Sequence, residues 1–403
     1  MRPIDFVNRI SYRRMGGSPE EKETARLIAE QLKEFGYEPQ IEEFPIMTYV
    51  PGEGELVPLE PAGEAIPINP VGLSADIDDE GELVVLDVPE PEWIDAEQVR
   101  GKIVMMPHYP RWKWLEALTS AGAKAALVVV DDIRIRAYIG LSQRVAKEFG
   151  EKIAAATIGY KHAIKLVNEG VRRVRIRTHH EKFDGTSQNV VAELPGHTDR
   201  LVILTAHYDS TPCSPGAEDN AAGTAELLAL AERLAGKKFR RTVRFVFCGA
   251  EEMGLLGSKA HSEIHSDQID RTDFVINLDV GGNPFAPIFV RILGTDDLEH
   301  YITALVRREG LPVQVSQDIY SSDGMPFSRF GVPSLSVARA GISRRAHSPY
   351  DEPWRLNNRA LEQIVDVAEK ILLEIADARL LPFPREISEE NKKKIEDYFN
   401  LRK

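Results

Sequence analysis

Along the chain the spacing of hydrophobic positions changes character twice. Over residues 18–35 they recur at helical intervals, with Leu27, Ile28, Leu32 and Phe35 sharing a face. Ser18 and Glu21 form an S-x-x-E capping box, Pro19 takes the first helical position and Gly36 follows the end, so one amphipathic helix is expected here. From about residue 45 to 70 the pattern is broken by Pro51, Gly52, Gly54, Pro58, Pro61, Gly63, Pro67 and Pro70, which predicts turns, short edge strands and a domain boundary. Short strand-like runs follow at 83–88, 103–106, 125–130 and 171–177, with a helical segment at 114–123. They predict a small β-rich or mixed module. Val174 and Ile176 alternate with Arg175 and Arg177, as a half-exposed strand requires, so these arginines are not read as a basic patch.

From Asn189 onward, continuous apolar runs alternate with helical segments: strands at 201–206, 242–247, 274–279, 288–293 and 334–338, and helices at 223–235, 257–265, 297–309 and 358–376. Apolar strands separated by helices predict an α/β domain whose central sheet is mixed but mainly parallel, with helices on both faces. The expected organisation is an N-terminal helix opening the main α/β domain (1–45), an inserted smaller β-rich domain (46–183), the rest of the main domain (184–380) and a C-terminal tail (381–403). In the tail, Ile387, Ile395, Tyr398 and Phe399 share a helical face, so a docked terminal helix is expected.

Composition narrows the partners. The 50 Lys and Arg against 63 Asp and Glu give a net charge of −13 with no cationic cluster, which argues against nucleic acid. No apolar run approaches the roughly 20 residues that span a bilayer, and Asp5 and Asn8 interrupt the opening segment where a signal peptide needs an apolar stretch, so a cytoplasmic protein without membrane contact is expected. Cys213 and Cys248, not spaced as C-x-x-C, read as ordinary thiols.

Sites in open α/β sheets form beyond the carboxyl ends of the strands. There this chain places His207 and Asp209, the pair Glu251 and Glu252, Asp279, and His347, while Asp219 opens the helix after the first strand. Crowding five carboxylates would cost several kcal/mol without a counter-charge. Two histidines with three carboxylates suit two divalent cations sharing a bridge, zinc first, with cobalt or manganese as alternatives. Asp209, two residues after His207, is placed to orient the imidazole. Of the adjacent glutamates, one reads as a ligand and the other as a free base. Any one of these positions is commonplace alone; their coincidence at successive strand ends carries the reading. His108, His162, His179, His180, His197 and His300 lack such neighbours. His261 and His265 stand at i and i+4, but residue 262 is Ser where H-E-x-x-H needs Glu, so all eight are expected on the surface.

The strings HYDS (207–210), GAEDNAAGTAELLALAERL (216–234), RTVRFVFCGAEEMGLLGSKA (241–260), NLD (277–279) and HSPYD (347–351) resemble the dizinc aminopeptidase family, which includes secreted bacterial leucyl aminopeptidases, glutamate carboxypeptidase and the transferrin receptor ectodomain. The likeness covers about residues 185–375. Three further segments, 99–106, 120–131 and 156–170, resemble a protease-associated domain inserted as a lid. The family resemblance implies His207 and Asp279 on one metal, Glu252 and His347 on the other, Asp219 as the bridge, Asp209 orienting His207, and Glu251 as general base of a metal-activated water. It implies an exopeptidase acting on peptides with a free terminus, an aminopeptidase first. The alternatives are a carboxypeptidase or acylamino-acid hydrolase, a glutaminyl cyclase, or a non-catalytic scaffold. Gly324 stands where many members have the His of Ser-Asp-His. Tyr320 is a candidate substrate contact, as are Arg339, Arg344 and Arg345 for a substrate carboxylate. Assembly into a homo-oligomer is left open.

Overall fold

The computed structural model describes residues 1–131, 140–339 and 346–399. The chain opens with helices α1 (Pro3–Ile10) and α2 (Pro19–Glu34). Ser18 caps α2, its Oγ accepting from Glu21 N at 3.1 Å. Glu21 departs from the capping box. Its carboxylate turns inward and accepts from Gly17 N at 2.6 Å, Ser187 Oγ at 2.6 Å and Ala250 N at 3.0 Å.

The turns and short strands expected over 45–70 are largely replaced by one long strand, β1 (Gln40–Glu60). It is followed by β2 (Ile66–Pro70), β3 (Ile77–Val85), α3 (Ala96–Val99), β4 (Ile103–Met106), α4 (Trp112–Ala121), β5 (Ala125–Val130), α5 (Gln143–Phe149), β6 (Ala154–Gly159), α6 (Tyr160–Asn168) and the long β7 (Arg173–Leu194). β1 and β7 pair antiparallel along almost their whole length. This pairing keeps β1 extended despite its prolines. The disturbance is confined to two register shifts, one between Pro58 and Glu60 and one between Val50 and Glu53, where a Cβ on Gly52 would lie 1.7 Å from the His179 carbonyl oxygen. β3, β4, β5 and β6 run parallel, β2 pairs antiparallel with β6 and with β1, and β3 pairs antiparallel with β7. The pairing therefore returns on itself, and with helices α3 to α6 this part is the mixed alternative of the expected module.

The remaining elements are β8 (Leu201–His207), α7 (Ala222–Leu234), β9 (Thr242–Cys248), α8 (Leu256–Ile264), β10 (Thr272–Leu278), β11 (Ile288–Leu293), α9 (Asp296–Arg308), β12 (Val313–Gln317), α10 (Met325–Ser328), β13 (Ser334–Arg339), α11 (Asn358–Asp377) and α12 (Glu389–Tyr398). They form the sheet order β7-β9-β8-β10-β13-β11-β12, parallel from β9 to β13, with antiparallel joints at β7–β9 and β11–β13. β8, β10 and β13 are buried at every position, including the polar Asp273 and Asn277 of β10 and Ser334, Ser336 and Arg339 of β13. Helices α1, α2, α7, α9 and α11 cover one face in the main hydrophobic cluster, and α8 and α10 pack on the other. β7 is the shared strand: its first half pairs with β3, its last residues with β9. Among the described residues no helix is long and apolar enough to cross a membrane.

Candidate metal centre

Parallel packing brings the carboxyl ends of β8, β9 and β10 to one edge of the sheet. His207 is the last residue of β8, Glu251 and Glu252 follow β9, Asp279 follows β10, and Asp219 lies in the turn before α7. His347 arrives from beyond β13. Asp219 is the common member of two donor groups. Its Oδ1 lies 3.2 Å from His207 Nε2, which is also 3.4 Å from Asp279 Oδ1. Its Oδ2 lies 3.2 Å from His347 Nε2, which is 3.0 Å from Glu252 Oε2. Each group of three has all its donor atoms within 4.8 Å of one another. Donors at about 2.0–2.2 Å around a tetrahedral zinc stand about 3.3 Å apart, so both groups fit such an ion. Glu251 belongs to neither group, with Oε2 at 3.9 Å from His207 Nε2.

The electrostatics call for a cation. Burial pushes the Glu251, Glu252 and Asp279 carboxyls up, against the opposing pull of the two imidazoles. For His207 and His347, burial alone would lower the pKa, but the surrounding carboxylates outweigh it and hold both well above the usual imidazole range. Glu252 Oε1 and His207 Nδ1 are buried without a hydrogen-bond partner. A dication at each donor group would compensate both the charge and the orphaned oxygen.

Several supports were not read from the sequence. Asp209 sits 3.4 Å from His207 Nδ1, but its hydrogen bonds go elsewhere: its carboxylate accepts from Glu251 N at 2.9 Å and Glu252 N at 3.1 Å. Asp351 does the same on the other side, accepting from Glu218 N at 2.8 Å and Asp219 N at 3.1 Å. Its spacing from His347 in HSPYD was the available signal. Arg14, fully buried, donates to the carbonyls of Tyr208, which follows His207 at the end of β8, and of Gly216, in the turn that carries Asp219. Among the described residues, four of the five non-glycine residues with positive φ, namely Ala250, Leu255, Val280 and His347, lie in or beside the centre, and backbone strain of this kind concentrates at functional sites.

The centre opens into a cavity of about 520 Å³ lined also by Gly254, Leu255, Val280, Ile319, Tyr320, Ser321 and Tyr398. Tyr320 therefore faces the site, its ring edge-on to Phe289 at 5.7 Å. Arg339 does not line the cavity. It is buried, and its guanidinium donates to the Asn283 and Ala286 carbonyls and to Gln363 Oε1, which corrects its reading as a substrate contact. Arg344 and Arg345 lie outside the described residues. Two of the histidines expected on the surface are buried. His180 packs beside Tyr49, while His261 Nδ1 meets Glu42 Oε2 at 2.7 Å and the half-buried His265 Nε2 meets Glu42 Oε1 at 2.7 Å, pinning β1 to α8. Arg244 Nη1 faces His261 Nε2 at 3.4 Å, so that nitrogen accepts and the Nδ1 proton points to Glu42.

Residues 189–372 match Peptidase family M28, a span that contains every donor of the centre and Glu251. Aminopeptidase YwaD of Bacillus subtilis is 27% identical over 417 aligned residues, covering 96% of this chain and 86% of that protein. Among solved structures, a zinc aminopeptidase from Bacillus subtilis superposes with a TM-score of 0.77 at 23% identity, covering 97% of this chain and 98% of its own. An aminopeptidase from an Aneurinibacillus strain gives 0.75 at 24% identity, with 95% of both chains covered. These two structures show the shared fold alone, and the family match rests on the segment that carries the ordered donors.

Proposed function

We propose that the protein is a metal-dependent aminopeptidase that hydrolyses the first peptide bond of a substrate with a free N-terminus. His207, Asp219 and Asp279 hold one divalent ion in this reading, and Asp219, Glu252 and His347 hold a second, zinc by the character of the donors. The observation that carries the reading is the lining of the cavity: four carboxylates and, among the described residues, no Lys or Arg. Such a lining offers carboxylate oxygens as hydrogen-bond acceptors to the α-ammonium of a peptide. A carboxypeptidase would need a cation for the terminal carboxylate, and Arg339 is committed to backbone carbonyls.

When bound, the ions supply Lewis acidity and a water whose pKa falls toward about 7. Glu251 supplies the base. Its carboxylate sits at the rim of both donor groups and belongs to neither, and burial raises its proton affinity. It takes the proton of the attacking water and returns it to the departing amine. Asp209 fixes the amides of Glu251 and Glu252 together, so the base and its neighbouring ligand keep one geometry. Residues 61–172, carried between β1 and β7, act as a cap beside the site: Ala250 and Met253, flanking the glutamate pair, share a hydrophobic cluster with Leu115 and Leu118. The test compares Glu251→Gln with the wild type for bound zinc and for hydrolysis of aminoacyl amides and their N-acetylated forms. The variant is expected to retain metal and lose activity, and the wild type to leave the acetylated forms intact. Turnover by the variant would remove Glu251 as base, and equal turnover of acetylated substrates would overturn the aminopeptidase reading.

A further inference from the structure

Beyond the segment matched to the family, one of the described residues reaches the catalytic cavity. Tyr398, at the end of α12, is part of its lining. Its hydroxyl is bonded to Ser321 Oγ at 2.5 Å, on the loop that also contributes Ile319 and Tyr320 to the cavity wall. The helix that carries it is anchored on both sides. Toward the sheet, Ile387 and Ile395 pack with Leu255, Leu293 and Met325, and Asn391 donates to Gln317 Oε1 at 3.2 Å. Lys394 pairs with Asp318 at 3.1 Å, beside the same loop. Toward the cap, Arg144 on α5 donates to the Phe399 carbonyl at 2.6 Å. Helix α12 is thus held between the sheet and α5, and Tyr398 is the described side chain it contributes to the cavity lining.

We infer that Tyr398 is a specificity-determining residue that limits the size of the substrate group admitted to the cavity. The inference rests on the aminopeptidase reading and adds to it the C-terminal helix as a substrate wall. With Leu255, Val280, Ile319 and Tyr320 making the rest of this wall apolar, the accepted group is an apolar side chain of bounded length. Discrimination in an apolar pocket runs at about tenfold or more per methylene, so removing a whole ring is measurable.

The test uses the zinc-loaded full chain and two substrate series, one varying the first residue and one varying the second. For each, kcat/KM is expressed as the ratio of a bulky aromatic to an alanyl member, with melting curves to verify folding. Tyr398→Ala is expected to raise the ratio about tenfold or more in one series. Tyr398→Trp is expected to lower it, and Tyr398→Phe, which keeps the ring, to leave it within about twofold. Turnover by Tyr398→Ala and Tyr398→Trp with wild-type ratios in both series overturns the inference alone. Failure of the wild type on every free-amine substrate overturns the aminopeptidase reading and the inference with it.

Discussion

Arg14 is the residue through which the N-terminal segment holds the metal centre together. Its guanidinium donates to five backbone carbonyls, those of Ile10, Tyr12, Tyr208, Pro215 and Gly216. Burial lowers its pKa, and Asp209, Asp351 and Asp219 oppose that shift, so the positive charge is held among the acids of the centre. Replacing Arg14 with Met preserves length and removes every donor. A buried carbonyl left unsatisfied costs about 1–3 kcal/mol, so the carbonyls of Tyr208 and Pro215 alone account for about 2–6 kcal/mol. Breaking a buried charge cluster gives a similar figure of about 3–5 kcal/mol. The two describe the same loss and do not add. The Tm of Arg14→Met should fall by on the order of 5 °C or more, and its zinc affinity should weaken because the segments bearing His207 and Asp219 lose their common tie. Arg14→Lys should recover part of the stability, since an ammonium cannot span the same fork of acceptors. Differential scanning calorimetry and zinc titration measure both effects. An Arg14→Met protein melting within about 1 °C of the wild type, with unchanged zinc affinity, would refute the reasoning.

Other predictions follow from the same supports. Burial, with the charge of Asp209 added, pushes Glu21 up to about 8 from an ordinary 4.5, so the stability it contributes is complete below pH 4.5 and lost as pH rises through about 8. Glu21→Gln should flatten the fall in stability across that window, and denaturation series at several pH values with parallel slopes for both proteins would count against it. In Asp351→Asn the amide nitrogen cannot accept, so the amide of either Glu218 or Asp219 loses its partner. A loss of about tenfold or more in zinc affinity is expected, and unchanged affinity by competition titration would exclude this role. Chelation should lower the melting temperature and zinc should restore it, since ligand at 100 times its Kd stabilises by about 2.7 kcal/mol. Identical melting with and without chelator would argue against a bound ion.

Much of the fold was legible because its signals are local. The apolar runs at 201–206, 242–247 and 288–293 correspond to β8, β9 and β11 within a residue, and the helix expected at 358–376 is α11. Mostly apolar strands buried on both faces announce themselves in composition. The donors were legible for a related reason: once the strands are parallel, the residues after them share an edge. β1 was missed because Pro51 and Gly52 look like breakers, and only pairing with β7, distant in sequence, shows the interruption absorbed in a bulge. His261 was misread because its partner, Glu42, lies far away in the chain.

The order of His207, Asp219, Glu251, Glu252, Asp279 and His347 and the alternation of strand and helix thus follow from residue type and periodicity alone. Contacts across the chain settle what no window of sequence contains. Asp209 accepts the amides of Glu251 and Glu252 rather than serving His207 alone, Arg339 spends its donors on carbonyls instead of a substrate, and Tyr398 enters a cavity built by residues far from it in sequence. Hydrogen bonding and burial depend on which groups folding brings within about 3 Å, and these partners are separated by tens to hundreds of residues.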